Sequence, residues 1–584
     1  MRCTIVTLFV VLTTAGAHAA ELPAVPGSLV REIEFDGVAL RFDLGPQVLD
    51  LRAYKRNDDE PLLANPLGAL GADDAVPAAL LAQKAKQFDD GLYAAVELAA
   101  EEGAGALPGK RHLLATLAAA LAGDAPEGAP VTLEAAARLG GETPSLPKRM
   151  EQAVAARLDA FNRSGAGKPL GFYTWSPALG AIFRQDRMLQ SELVGSGNPH
   201  LVMTLHADPA LRTSYERYLE LVAGLTNPWP ADKPDLRATL ARVDAGSSDI
   251  PREKVYFFPP SRAHETDLVK RLYGNRHIPD DFSLIDELAR QIRAGTIDLT
   301  PKADSGWYDW STWALETLAA PERAAEARKL ELNDEYRQNL HALFQGVVAL
   351  TRETHIKQLE AGPATGMAAP MQTPKQLLLV APRLRAEPLA TYYLRRAQAY
   401  GFVAKVLTKA FGDDALVRMH RQGPDGAMAA TLADELAQMQ AIFLGAYAAV
   451  DDDLGMPPDT AAGAVKDEPA FLEWRARIAK DADLERDARM MVPLFFDRER
   501  RKTKVVAFLG WAARDTMVAF ATPPTLIDGP AGAAADVRFI SKHETFVYPV
   551  SVEIYVRDVL DREQFRAVCD ANKTPAQIVQ ALQR

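Results

Sequence analysis

The sequence predicts a mainly α fold: a multi-helix body with a small β element formed by an N-terminal hairpin and C-terminal antiparallel strands. Three observations carry this expectation. Apolar residues recur at helical spacing through the long middle of the chain. A short alternating segment with an Asp-Gly turn stands near the N-terminus, and strand-like alternation returns after Pro493. The divisions that follow are 1–19, a signal peptide; 20–62, a hairpin segment; 63–490, a large helical domain; and 491–584, a C-terminal α+β segment.

Arg2 gives the chain a positive start, residues 5–12 are apolar, and Ala17-His18-Ala19 is a small-x-small cleavage signal. Residues 32–35 and 38–42 flank Asp36-Gly37, whose type I′ turn needs positive φ at both central positions. From about residue 76 the chain is alanine-rich and helical, with breaks at 103–109 and 123–130. A helix is expected over 333–360. Asn333 caps it, Asp334 and Glu335 sit in its first turn, and Leu340, Phe344, Val347, Val348 and Leu359 form its apolar stripe. A second spans 389–411 and stops at Gly412. A third spans 432–450, with Leu432, Leu436, Met439, Phe443 and Tyr447 on one face. Asp451-Asp452-Asp453 then reads as a solvated acidic loop. Strands are expected at 504–511 and 516–521, joined near 513–515, and at 546–556. Asp561 with Gln564, and Thr574 with Gln577, are cap signals for two final helices. The exposed edges of the hairpin and of the C-terminal strands would be satisfied by lying near each other.

Composition narrows the function. The chain has 584 residues, 48% hydrophobic and 24% charged, with a formal charge of −11, which argues against nucleic acid as a partner. Cys3 leaves with the leader, so Cys569 alone remains. No internal disulfide, cysteine-rich zinc site or iron–sulfur cluster is then possible, and no cofactor is expected. Export without disulfides fits a bacterial periplasm or surface. No later run of 18 apolar residues occurs, so no membrane insertion is expected after cleavage. The His-Glu-x-x-His, Gly-x-Ser-x-Gly, P-loop and EF-hand motifs are absent.

The densest chemistry lies at 305–316, where three of the seven tryptophans fall within seven positions. On a helix, Asp309, Trp313 and Glu316 share a face, with the carboxylates about 10 Å apart along the axis. Side-chain reach can bring such a pair near the separation of an acid–base pair in an inverting glycoside hydrolase. Trp307, Tyr308 and Trp313 offer flat apolar faces for sugar rings, and Tyr173 and Trp175 offer a second aromatic wall. The structural alternative is that these rings are core. On the next helix, His355 sits beside the apolar stripe, with Arg352 and Glu353 nearby, and can act as a base. His264 and Asp267 stand at i, i+3 and can share a cation. Two main readings follow: an exported hydrolase or lyase acting on a glycan or other polymer, and a non-enzymatic envelope-associated binding protein. A metal-dependent hydrolase is a third.

Overall fold

The computed structural model describes residues 33–35, 38–40 and 59–584, apart from connecting stretches of which 260–270, 277–283, 353–383, 457–467 and 523–537 are the longest. Among the described residues are 18 α-helices and a four-stranded antiparallel sheet near the C-terminus. The fold is mainly α.

The helix Ala78–Glu102 runs through the middle of the body. Its alanine, leucine, lysine and glutamate residues are strong helix formers. Gly103, at φ +94°, ends it. It packs against helices Lys110–Leu121, Pro177–Leu189, Asp334–Arg352 and Leu432–Leu454 and against strand Arg538–Val556. A helix covered on every side is ordinarily apolar all round. This one buries Gln83, Lys84, Lys86, Asp89, Asp90, Glu97 and Glu101 as well as Leu80, Leu81, Phe88, Leu92 and Val96. At its start the Ala78 N–H donates to Glu387 Oε2 at 2.8 Å, so a carboxylate sits at the positive end of the helix dipole. The Tyr336 hydroxyl donates to the other oxygen at 2.9 Å.

The expected helices are present, as Asp334–Arg352, Ala390–Phe411 and Leu432–Leu454. Leu432, Leu436, Met439, Phe443 and Tyr447 are all buried, as their spacing requires. The stripe positions Leu340, Phe344 and Val347 are buried and Val348 half-buried, while Asn333, Leu359 and Gly362 lie outside the described residues. The acidic triplet is not a loop. Asp452 and Asp453 end the helix Leu432–Leu454, and both are engaged by Arg385: Asp452 at 2.5 Å, Asp453 at 3.0 Å. The Arg385 N–H also donates to Asp453 Oδ2. A cation 67 or 68 residues away supplies the partner that a local reading cannot see.

The β element also differs from expectation. Strand Lys502–Thr522 is continuous through 513–515 and pairs with Arg538–Val556 along its length, Ala513 opposite Val547 and Asp515 opposite Thr545. The polar Arg514-Asp515 pair marks no turn: the two point to opposite faces, Arg514 is half-buried, and the exposed Asp515 accepts from the Thr545 hydroxyl on the paired strand at 2.7 Å. The opposite edge is covered in turn by Met490–Asp497, by Leu63 at Trp511, and by Leu330–Glu331 at Ala519 and Phe520. The N-terminal strands Ile33–Phe35 and Val38–Leu40 pair with each other, as the Asp-Gly turn predicts. Among the described residues they form a separate two-stranded sheet and do not pair with the C-terminal strands. Leu63 and Leu330–Glu331 shield the edge instead. Gly510, at φ +142°, sits at a bulge in this strand, and a Cβ there would stand 2.7 Å from the Leu63 carbonyl.

One face of the sheet joins the main core through Phe508, Trp511, Phe546 and Tyr548. The other buries Val505, Leu509, Val550, Val552 and Ile554 under helices Arg562–Ala571 and Pro575–Gln583. Asp561 and Gln564 form a full capping box, and Thr574 Oγ1 accepts from the Gln577 N–H. Cys569 is buried in this second core, and burial pushes its thiol up to about 12, which keeps it protonated and unreactive. No helix among the described residues is long and apolar enough to cross a membrane.

Candidate functional site

The tryptophan segment forms helix Trp307–Ala319. Its start is fixed by backbone contact. The Tyr308 N–H donates to the Thr226 carbonyl at 3.1 Å, and a Cβ on Gly306 would stand 2.0 Å from that oxygen. Only glycine permits the approach. Trp307, Ala314, Leu315 and Leu318 are buried in the body.

Asp309 and Glu316 are both enclosed, at 7% and 6% exposure, and each is matched by its own cations. Asp309 accepts from Arg271 at 2.9 Å and from the Ser305 hydroxyl at 2.7 Å. Glu316 accepts from Arg323 at 2.8 Å and from Arg395 at 2.6 Å. The two carboxylates therefore belong to separate ion-pair sets. Arg395 also lies 4.3 Å above the Trp313 ring, so Glu316 and Trp313 are brought together by one guanidinium. Trp310 stacks on Phe402 with ring centres 5.3 Å apart and meets the edge of Trp313.

The two aromatic segments converge on the central helix. Tyr93 lies between them, 5.2 Å from the Trp307 ring and 6.1 Å from Phe172. Tyr173 donates to Glu97 at 2.7 Å. Asp89, Tyr93, Glu97 and Glu101 follow one another at i+4 and so line one face of helix Ala78–Glu102. Asp89 accepts from Arg396 at 3.0 Å and from Tyr400 at 2.9 Å. Burial raises the Asp89 carboxyl above the usual range, against the pull of Arg396 and Tyr400. At the far end Lys110 meets Glu101 at 3.2 Å and is paired with Asp186, with Tyr218 beside it. Burial opposes the charge on Lys110, but Asp186, Tyr218 and Glu101 outweigh it and its pKa is raised. This face is a continuous polar seam inside the protein, closed by internal partners.

Trp175 is half-buried, with Arg562 5.8 Å from its ring and Phe172 at its edge. Arg352 is the last residue of helix Asp334–Arg352, while Glu353 and His355 lie outside the described residues, as do His264 and Asp267. Consecutive helices packed antiparallel could bring His355 to Asp309 and Glu316, but His355 lies outside the described residues, so that arrangement does too. The seam residues Asp89, Glu97 and Glu101, and their partners Arg396 and Lys110, did not stand out in the sequence. The signal available was the i+4 recurrence of polar groups in an alanine-rich helix. That pattern also describes a solvated helix face, and only the packing around it separates the two.

No family model matches the chain, and neither a curated protein nor a solved structure is similar to it.

Proposed function

We propose that the protein is an exported, envelope-associated binding protein for a glycan, not a hydrolase that uses Asp309 and Glu316 as its acid and base. The observation that carries this reading is the saturation of both carboxylates. A general acid must present a proton to a substrate oxygen, and a general base must hold a lone pair open to water. Asp309 and Glu316 instead spend their acceptor oxygens on Arg271, Ser305, Arg323 and Arg395 in a nearly closed environment. Such pairs stabilise a fold, and removing one partner leaves a stranded charge.

Ring surface at the molecular boundary supports the glycan class. Trp175, Trp310, Trp313 and Phe402 are half-buried, and each lies within ring or cation contact of a neighbour that holds its orientation. Fixed indole faces next to guanidinium donors suit a ligand with apolar ring faces and hydroxyl acceptors. Export supports the setting and rests on the leader-like residues 1–19. The reading is tested by passing the purified protein over immobilised glycans and assaying bound material for new reducing ends. Retention without release supports it, and release of reducing ends that depends on Asp309 or Glu316 overturns it.

A further inference from the structure

Helices Ala78–Glu102 and Ala390–Phe411 begin at one junction, and each has a buried carboxylate at its first turn. Glu387 Oε2 accepts from the Ala78 N–H at 2.8 Å. Glu326 accepts from the Thr391 N–H at 3.2 Å and from the Thr391 hydroxyl at 2.6 Å. The two segments that lead into these helices pair with each other. The Val76 N–H donates to the Arg385 carbonyl at 3.2 Å, and the Glu387 N–H donates to the Val76 carbonyl at 2.8 Å. The Ala75 N–H donates to Glu544 Oε2 at 3.1 Å, which ties strand Arg538–Val556 to the same place. The Glu387 carbonyl accepts from the Leu389 N–H at 2.7 Å and from the Tyr393 hydroxyl at 2.8 Å.

Charge at this junction is one-sided. Glu387, Glu326 and Glu544 are all enclosed. Arg385, two residues from Glu387, is paired with Asp452 and Asp453 of helix Leu432–Leu454. Arg395 acts on Glu326 and is bonded to Glu316. Helix Asp334–Arg352 turns Tyr336 to Glu387, and helix Ala390–Phe411 adds Tyr392 and Tyr393. Behind Tyr336 stands Tyr548 of the hairpin, and behind Tyr392 stands the Arg396–Asp89 pair. Residues 78–82, the first turn of the central helix, are all apolar. The Ala78 N–H and the Tyr336 hydroxyl favour the charged form of Glu387, but burial outweighs them and pushes the carboxyl up to about 7. Protonated, the carboxyl keeps the Ala78 N–H and can donate to the Tyr336 oxygen. Ionised, it is an enclosed charge that water would stabilise. Water reaches it most readily by parting 74–78 from 385–389, which meet through the few hydrogen bonds named above, whereas Tyr336 and Tyr393 are fixed in long helices.

We propose that residues 74–78 and 385–389 form a proton-operated clasp, closed while Glu387 holds a proton and opened locally when that proton passes to bulk water, with the helical body remaining folded. The sign follows from the enclosed carboxyl. Its proton is held more tightly in the closed state than in an opened, hydrated one, so the closed state is favoured in acid and that advantage is lost as pH rises from about 4.5 towards 7. Opening would free the start of the central helix from the hairpin, since the Ala75 N–H and its Glu544 acceptor lie on the two sides of the same break. The clasp is independent of the glycan ligand and of any chemistry at Asp309 and Glu316.

The test is native-state hydrogen exchange on the full-length protein at about pH 5.5 and about pH 8, with protection corrected for the intrinsic pH dependence of exchange. An opening governed by one carboxyl that titrates at 4.5 in water and at about 7 when enclosed grows about thirtyfold over that interval. Protection of the Val76, Ala78 and Glu387 amides should therefore fall at least tenfold, while helix Pro209–Leu225 in the body stays within about threefold. Glu387→Gln, which resembles the protonated form, should keep the clasp protected at both pH values. If that variant is misfolded by near-UV dichroism, Tyr336→Phe takes its place: losing the hydroxyl that favours the charged form should move the opening to higher pH. Protection of the clasp that does not change with pH, an equal fall in Pro209–Leu225, a folded Glu387→Gln that opens like the parent, or an unmoved profile in Tyr336→Phe each overturns the clasp.

Discussion

Glu387 shows how one enclosed carboxyl can govern stability. It is 0% exposed, its two oxygens accept from Ala78 and Tyr336, and its carbonyl accepts from Tyr393. Among the described residues it forms no ion pair, and burial raises its pKa to about 7 from an ordinary 4.5. A carboxyl with a raised folded pKa favours the folded state while both states are protonated, below about 4.5. That contribution is lost as pH rises towards 7, for a total of about 3 kcal/mol. Glu387→Gln resembles the protonated form, so denaturant melts at several pH values should show the variant gaining on the parent between pH 4.5 and 7 and holding the gain above that. A difference that does not change with pH would contradict the assignment. Asp89 behaves differently because Arg396, only 4% exposed, depends on it. Asp89→Ala should cost about 3–5 kcal/mol in urea unfolding by stranding that cation. The sequence made residue types and helix faces legible at Asp309 and Glu316. It could not disclose their partners, since Arg271 and Arg395 lie 38 and 79 residues away along the chain. Acid–base candidates and structural ion pairs look alike until those partners are placed.

Helices were the most readable elements because their signals are local. The stripe from Leu432 to Tyr447 and the capping box at Asp561 need only neighbours within a few turns. Strands were less readable because pairing is decided by distant residues. Arg514-Asp515 resembles a break, yet 21 residues run on as one strand because Arg538–Val556 supplies a partner throughout. The edge predicted for the N-terminal hairpin went instead to Leu63, Met490–Asp497 and Leu330–Glu331. Gly306 is an element-level constraint of the same non-local kind, since its role is visible only against Thr226. Gly306→Ala should force helix Trp307–Ala319 away from that carbonyl and cost about 1–3 kcal/mol, read as a lowered urea midpoint. An unchanged midpoint would show that the helix is free to shift.

Across the whole molecule, a helical body and a long hairpin share one core, and two short C-terminal helices close the outer face of the sheet. Phe565, Cys569, Ile578 and Leu582 cover Val505, Leu509, Val550 and Ile554. Removing residues 561–584 should expose that apolar face, bind hydrophobic dye and lower the thermal midpoint; a truncated protein that melts like the parent would refute the closing role. At this scale the sequence conveyed the order of helical and β segments. It did not convey that a long helix carrying buried polar and charged residues lies inside, because Asp89, Glu97 and Glu101 owe their burial to Arg396, Tyr173 and Lys110 from three other segments. The same internal saturation, at Asp309 and Glu316, is the central claim about function. It is tested most directly by measuring glycan retention and new reducing ends for the parent protein and for Asp309→Asn/Glu316→Gln. The account predicts glycan retained by both proteins with no reducing ends formed by either. Reducing ends formed by the parent and abolished in the folded variant would contradict it.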